Sequence, residues 1–109
     1  MTQEHRDILQ RRRRDLVEDF DASQAVLDYL YQERIISSEQ RSTISCVAVR
    51  EARCRQILDL LPLRGDRAFY ALIKAAREVT NQTFIADMLE NDDLPQEHRL
   101  NIAMNNHVQ

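Results

Sequence analysis

Four consecutive arginines, Arg11–Arg14 in the string QRRRRDL, form the densest charge in the chain. Guanidinium groups pair bidentately with carboxylates and phosphates, so such a run suits either a protein interface or a nucleic-acid contact. On a continuous helix successive residues point about 100° apart, and the four arginines cannot share one face. Arg11 stands four residues from both Asp7 and Asp15, and Arg14 four from Glu18, so these two are expected to be neutralised along their own helix. Arg12 and Arg13 instead flank the apolar stripe of Leu9, Leu16 and Phe20, where a long stem lies on apolar surface and presents its head at the rim.

The remaining reactive residue types point away from catalysis. His5 and His107 lie near the chain ends and His98 in a polar tail, so all three are expected at the surface. Cys46 and Cys54 are eight apart, lack CxxC spacing and have no histidines placed to complete a zinc tetrahedron. Both are expected to be small core residues and free thiols in a reducing, cytosolic setting. No Ser–His–Asp order, phosphate loop or paired-carboxylate cleft stands out. The expectation is a protein with no enzymatic activity, no cofactor and no metal.

The totals agree with a small helical module. The 109 residues amount to one domain. One glycine and two prolines leave little turn chemistry for a sheet of many strands. The net charge is -3, whereas a nucleic-acid-binding domain is usually basic overall. Fourteen of the fifteen cationic residues are arginine, with Lys74 the single lysine, a bias that favours ion pairs with protein carboxylates. No apolar stretch of 18 residues occurs, and MTQEHRDILQ is too charged for a signal peptide, so neither membrane insertion nor secretion is expected.

Apolar residues recur at helical spacing throughout. A first helix is expected over about 3–19, and a second from an Asp21/Gln24 capping box with Val26, Leu27, Leu30 and Tyr31 as its buried stripe. Ser37 with Gln40 repeats that start signal for a short third helix carrying Ile44. A fourth is expected over about 48–61 with Ile57, Leu58, Leu60 and Leu61. Pro62 and Gly65 then turn the chain, and Asp66 is placed to cap a fifth helix running to about Val79. Thr80 or Asn81 opens a sixth through Phe84, Ile85, Met88 and Leu89. Residues 92–109 read as a polar tail or linker after a domain over 1–91, with a weak helix signal at Pro95. Six short helices with tight connections make a compact antiparallel all-α bundle, with Leu30, Leu61, Phe69 and Leu72 in its core.

LVEDF at 16–20, VLDYLYQERIIS at 26–37, LDLLPLRGDRAFYAL at 58–72 and FIADMLE at 84–90 together resemble a caspase recruitment domain, the CARD branch of the death-fold superfamily. The most specific part is the LLPxRGxxAF pattern, similar to the CARDs of initiator caspases and of the adaptor that joins a CARD to a death domain. The resemblance implies a six-helix Greek-key bundle without catalysis, which brings a protease or adaptor into an oligomer by CARD–CARD contact. The expected partner is another CARD-containing protein, either an initiator caspase or an adaptor, and a homo-oligomer is a second expectation. Neither a protease domain nor a second interaction domain follows, which reads as a CARD-only protein or an isolated prodomain.

In the family the first and fourth helices lie side by side as a basic face, and here that pattern falls on Arg13 and Arg55 most cleanly, with Arg12, Arg50 and Arg53 near them. An acidic face is implied at Asp28, Glu33 and Glu39. The rival is a small helical nucleic-acid binder using the arginine run. Against it stand the acidic remainder and the lack of a recognition helix with Asn, Gln and Arg on one side. A partner that is neither nucleic acid nor membrane is therefore expected.

Overall fold

The computed structural model of the chain describes residues 1–93; the Pro95 helix signal, His98 and His107 lie outside the described residues. Seven helices occur in the order α1 (Gln3–Arg11), α2 (Arg13–Asp19), α3 (Gln24–Gln32), α4 (Ser38–Ser45), α5 (Arg50–Leu60), α6 (Asp66–Lys74) and α7 (Thr83–Asp93). The described residues contain no strand. The first expected helix is thus two, broken at Arg12, whose φ of -97° and ψ of 5° lie in the bridge region. The break lets each half turn its own apolar pair inward: Ile8 and Leu9 in α1, Leu16 and Val17 in α2 are all buried.

Packing joins helices both near and distant in sequence. α2 lies on α5 and α1 on α7, so the start of the chain is covered by its middle and its end, while α3 lies on α4 and α6 on α7. Leu30, Leu61, Phe69 and Leu72 are all at 0% exposure, as the periodicity requires. Tyr31 and Phe84 are not in the core; they are 40% and 60% exposed, at the edges of stripes whose buried positions are Val26, Leu27, Leu30, Ile85 and Leu89. Cys46 is exposed because it ends α4 in a turn, whereas Cys54 is buried.

The ends of the helices show which local signals survive folding. At α4 the box forms as read: Ser37 Oγ accepts from Gln40 N at 3.0 Å, and Gln40 Oε1 accepts from Ser37 N at 2.9 Å. At α3 it does not. The N-cap is Ser23, without a side-chain bond, and Asp21 N donates to Gln82 Oε1 at 2.8 Å, while Gln82 Nε2 donates to Asp19 O at 2.7 Å. A side-chain amide from the α6–α7 connection thus satisfies the backbone that a local cap was expected to serve.

α6 is capped at Gly65, with φ 86° and ψ 179°, a region open essentially to glycine alone. Asp66 is therefore not the cap; its carboxylate reaches back to the amino terminus. The end of α6 widens into a single π turn over Ala75–Val79, with Thr80 N donating to Ala75 O at 3.0 Å. Asn81 then takes a left-handed φ of 55°, which asparagine tolerates, and α7 begins two residues later at Thr83.

Candidate protein interface

His5 is the first departure from the charge map drawn on the sequence. It is 6% exposed, stacked on Phe69 with ring centroids 4.0 Å apart, and its Nδ1 lies 2.9 Å from Asp66 Oδ1. Thr2 N donates to the same oxygen at 2.9 Å. These contacts tie α1 to α6, 61 residues away, which is why proximity to the chain end misled the surface reading. The Thr2 backbone bond, followed by the His5 bond, holds the Asp66 carboxyl below the usual carboxylate range. A depressed folded pKa contributes stability that is present above the unfolded value of about 3.9 and lost as pH falls through the folded one. Asp66→Asn should therefore unfold at lower urea than wild type at pH 7. The gap should narrow as pH falls through the folded carboxyl's pKa; equal midpoints at pH 7 would show that the carboxylate contributes nothing.

The arginine run is divided by the break at Arg12. Arg12 turns to α7, with Nε 2.7 Å from Asp92 Oδ2 and Nη2 3.1 Å from Asp92 Oδ1, a bidentate pair that raises the guanidinium pKa further, with Asp15 adding to it. Arg11 also faces Asp92, at 4.0 Å, and not the acids of its own helix as expected. Arg14 does pair with Glu18, at 3.1 Å. Arg13 crosses to α5 and meets Asp59 at 3.0 Å.

Helix α5 separates its arginines equally sharply. Arg50 donates to the carbonyls of Val17, Phe20 and Glu18 at 2.8–3.2 Å, closing the open carbonyl end of α2. Arg53 donates to Ala22 O at 2.9 Å and to Val47 O and Ala48 O at 2.7 and 3.2 Å. Both bind loop and helix-end backbone within their own chain. Arg55 is exposed and has no ion-pair partner among the described residues; Asp59, four residues on, is drawn to Arg13. Arg13, Arg14 and Arg55 share a cleft of about 420 Å³ with Gln10, Val17 and Glu18. Of the five basic candidates, the fold brings Arg13 and Arg55 together and directs Arg12, Arg50 and Arg53 elsewhere.

The three acidic candidates share no common cleft. Asp28 is exposed, accepts from Gln24 Nε2 at 3.1 Å and lies 3.5 Å from Arg41 Nη1. Arg41 is a residue the sequence reading did not single out, and its guanidinium also sits 4.2 Å from the Tyr31 ring centroid. Glu33 ends α3 and is half-buried; its charge adds to burial in holding the Tyr29 phenol above its usual pKa. Glu39 is exposed with no ion-pair partner among the described residues, and it borders a groove of about 510 Å³ between α4 and α5 that includes Ile44, Leu60 and Asp59.

The described residues hold no group of three or more His, Cys, Asp or Glu that could bind a metal ion, and no helix among them is long and apolar enough to cross a membrane. Both cysteines are free. Burial pushes the Cys54 thiol up to about 11, despite Arg50, Arg13 and Arg55. A thiol-specific chromogenic reagent at neutral pH should therefore titrate one cysteine in the folded protein, Cys46, and two after denaturation. Two fast equivalents in the folded state would show that the α2–α5 contact opens readily.

Helices alone, packed first against last, with charge set in shallow clefts, define an all-α death fold built for protein contact. The chain belongs to the caspase recruitment domain family, whose model matches residues 6–92. It is thereby a homotypic protein-interaction module, and members of the family bind other CARD-containing proteins. Neither a curated protein nor a solved structure matches the chain.

Proposed function

We propose that this domain recruits or oligomerises an initiator caspase or its adaptor in apoptotic or inflammatory signalling, in the cytoplasm and without catalysis of its own. The observation that carries the reading is the Arg55 guanidinium, exposed beside Arg13 and without an ion-pair partner among the described residues, on a domain that elsewhere pairs most of its described arginines internally. A partner carboxylate supplies what the chain withholds, and charge-assisted bonds of this kind favour one register and one partner over others. Glu39, equally unpaired, and Asp28 offer the complementary sign in other places, so a second copy or a related CARD can add on either side.

Within this reading Arg13 and Arg55 contact the partner directly, with Asp28, Glu33 and Glu39 as the acidic counterpart. Arg12, Arg50 and Arg53 support the face by fixing α1, α2 and α5. The module extends to the end of α7 at Asp93, with Asp92 held against α1 by Arg12, and the residues beyond it serve as a tail or linker. The test is a pull-down of CARDs from initiator caspases and adaptors at low and physiological salt. Capture that weakens as salt rises supports the proposal. Retention on a nucleic-acid column at physiological salt, with no CARD captured, would replace it with the nucleic-acid reading.

A further inference from the structure

We propose that the cleft between the α3–α4 connection and the turn after α5, which adjoins the Glu39 groove and shares Ser37 with it, is a phosphate-binding site. Its lining comprises Tyr31, Gln32, Arg34, Ile35, Ile36, Ser37 and Arg64, around about 440 Å³, within the range of small-ligand sites. Two arginines and no carboxylate line it. The clefts of Arg55, of Glu39 and of Leu9 each include at least one of Glu18, Glu39 and Asp59. In a chain of net charge -3, this is a concentration of positive charge that the described side chains leave without an ion pair.

The two guanidiniums are available for a ligand. Arg34 is exposed and has no ion-pair partner among the described residues, and its backbone holds a left-handed φ of 61°, unusual for a long side chain. Arg64 Nη2 donates to Gln40 Oε1 at 2.8 Å, a neutral amide that orients the guanidinium without cancelling its charge. The same Gln40 oxygen accepts from Ser37 N, so Arg64 is fixed to the start of α4. Ser37 Oγ accepts from Gln40 N and keeps its own O–H to donate.

A phosphate monoester matches this set better than a carboxylate does. It carries up to two charges and three outward oxygens, enough for two guanidiniums on separate segments and a hydroxyl. The amino-terminal end of α4 adds a favourable field for an anion. Arg41, stacked on Tyr31 beside the cleft, adds positive potential, reduced by Asp28 at 3.5 Å. The phosphate can belong to a soluble metabolite or to a lipid headgroup.

The test uses the full chain, titrated with inorganic pyrophosphate and, separately, with phosphatidylcholine vesicles containing phosphatidic acid. Amide resonances of Ile35–Ser37 and Arg64 should shift with pyrophosphate, and binding should weaken at least tenfold in Arg34→Asn/Arg64→Gln with an unchanged helical spectrum. Asparagine keeps the left-handed backbone accessible at position 34. Arg6→Gln/Arg11→Gln, with the same change in net charge, should bind as wild type. Response to pyrophosphate assigns a free phosphate group; response to vesicles alone, lost in the same double variant, assigns a headgroup. Three results would overturn the site: binding unchanged in Arg34→Asn/Arg64→Gln, equal loss in the Arg6/Arg11 control, or equal competition by a polyglutamate peptide.

Discussion

Leu72→Ala should lower the stability of the domain by about 2–5 kcal/mol, a large part of the roughly 5–15 kcal/mol available to a fold of this size. Leu72 is at 0% exposure in α6, the helix that packs on α7, on the turn after α5 and on its own π turn. The cost of such a truncation depends on how far the surroundings can collapse into the space left behind. Of the four residues one helical turn away, Ala68, Ala75 and Ala76 carry only a methyl group each and the fourth is Phe69; all four are at 0% exposure. Filling of the gap on that face is therefore left to Phe69. Leu63→Ala is the control, because Leu63 is 76% exposed and its removal should change stability by less than about 0.5 kcal/mol. Urea midpoints for the two variants decide the matter. If they coincide, the helical register of α6 is wrong.

The part of this fold that was legible in the sequence is the part decided within one turn of helix. The Ser37/Gln40 box forms because both partners lie three residues apart, and it holds although Gln40 Oε1 also accepts from Arg64. Arg14 finds Glu18 for the same reason. The core positions of α6 come from spacing, since a 3.6-residue period aligns Phe69, Leu72, Ile73 and Ala76 whatever they pack against.

The features that were not legible depend on residues far away in the chain. Gln82 displaced the Asp21 cap from 61 positions off, and Asp92 took Arg12 from 80. His5 became a core residue only because Asp66 and Phe69, three apart on one face of α6, come to lie against it. Arg50 and Arg53 were placed near a basic face by the family resemblance. A charge pattern does not show the carbonyls that end α2 and line the neighbouring loops, which both guanidiniums bind. The break at Arg12 changed the phase of the arginine run as well, dividing four adjacent side chains among α7, α5 and Glu18.

That division sets the expectation for assembly. A domain with an open cation at one place and an open anion at another can join head to tail, and a heterologous contact that does not close adds copies into a helical oligomer. Arg55→Glu should therefore abolish self-association or partner capture, with at least a tenfold loss of affinity and an unchanged fold, because Arg55 makes no ion pair among the described residues whose loss would unsettle α5. Exposed rim pairs contribute only about 0.2–1 kcal/mol each, so deletion to alanine should weaken assembly modestly, whereas reversal converts each attraction into a repulsion. On the acidic side Glu39→Arg should act more strongly than Asp28→Arg, since Glu39 has no ion pair among the described residues while Asp28 is already partly neutralised by Arg41. Arg50→Glu is expected to fail differently, by exposing the carbonyls of Val17 and Phe20 and lowering the thermal midpoint before any question of partner arises. Mixing Arg55→Glu with Glu39→Arg leaves each pair of molecules one interface with both native charges and one with both reversed. The former attracts as in wild type, and the latter pairs two reversed charges of opposite sign and attracts as well, so the mixture should regain the assembly that each reversal alone loses. Light scattering of wild type, each reversal and the mixture measures this directly: if both reversals assemble as wild type with helical circular dichroism intact, these charges are solvated surface and the arginines recruit nothing.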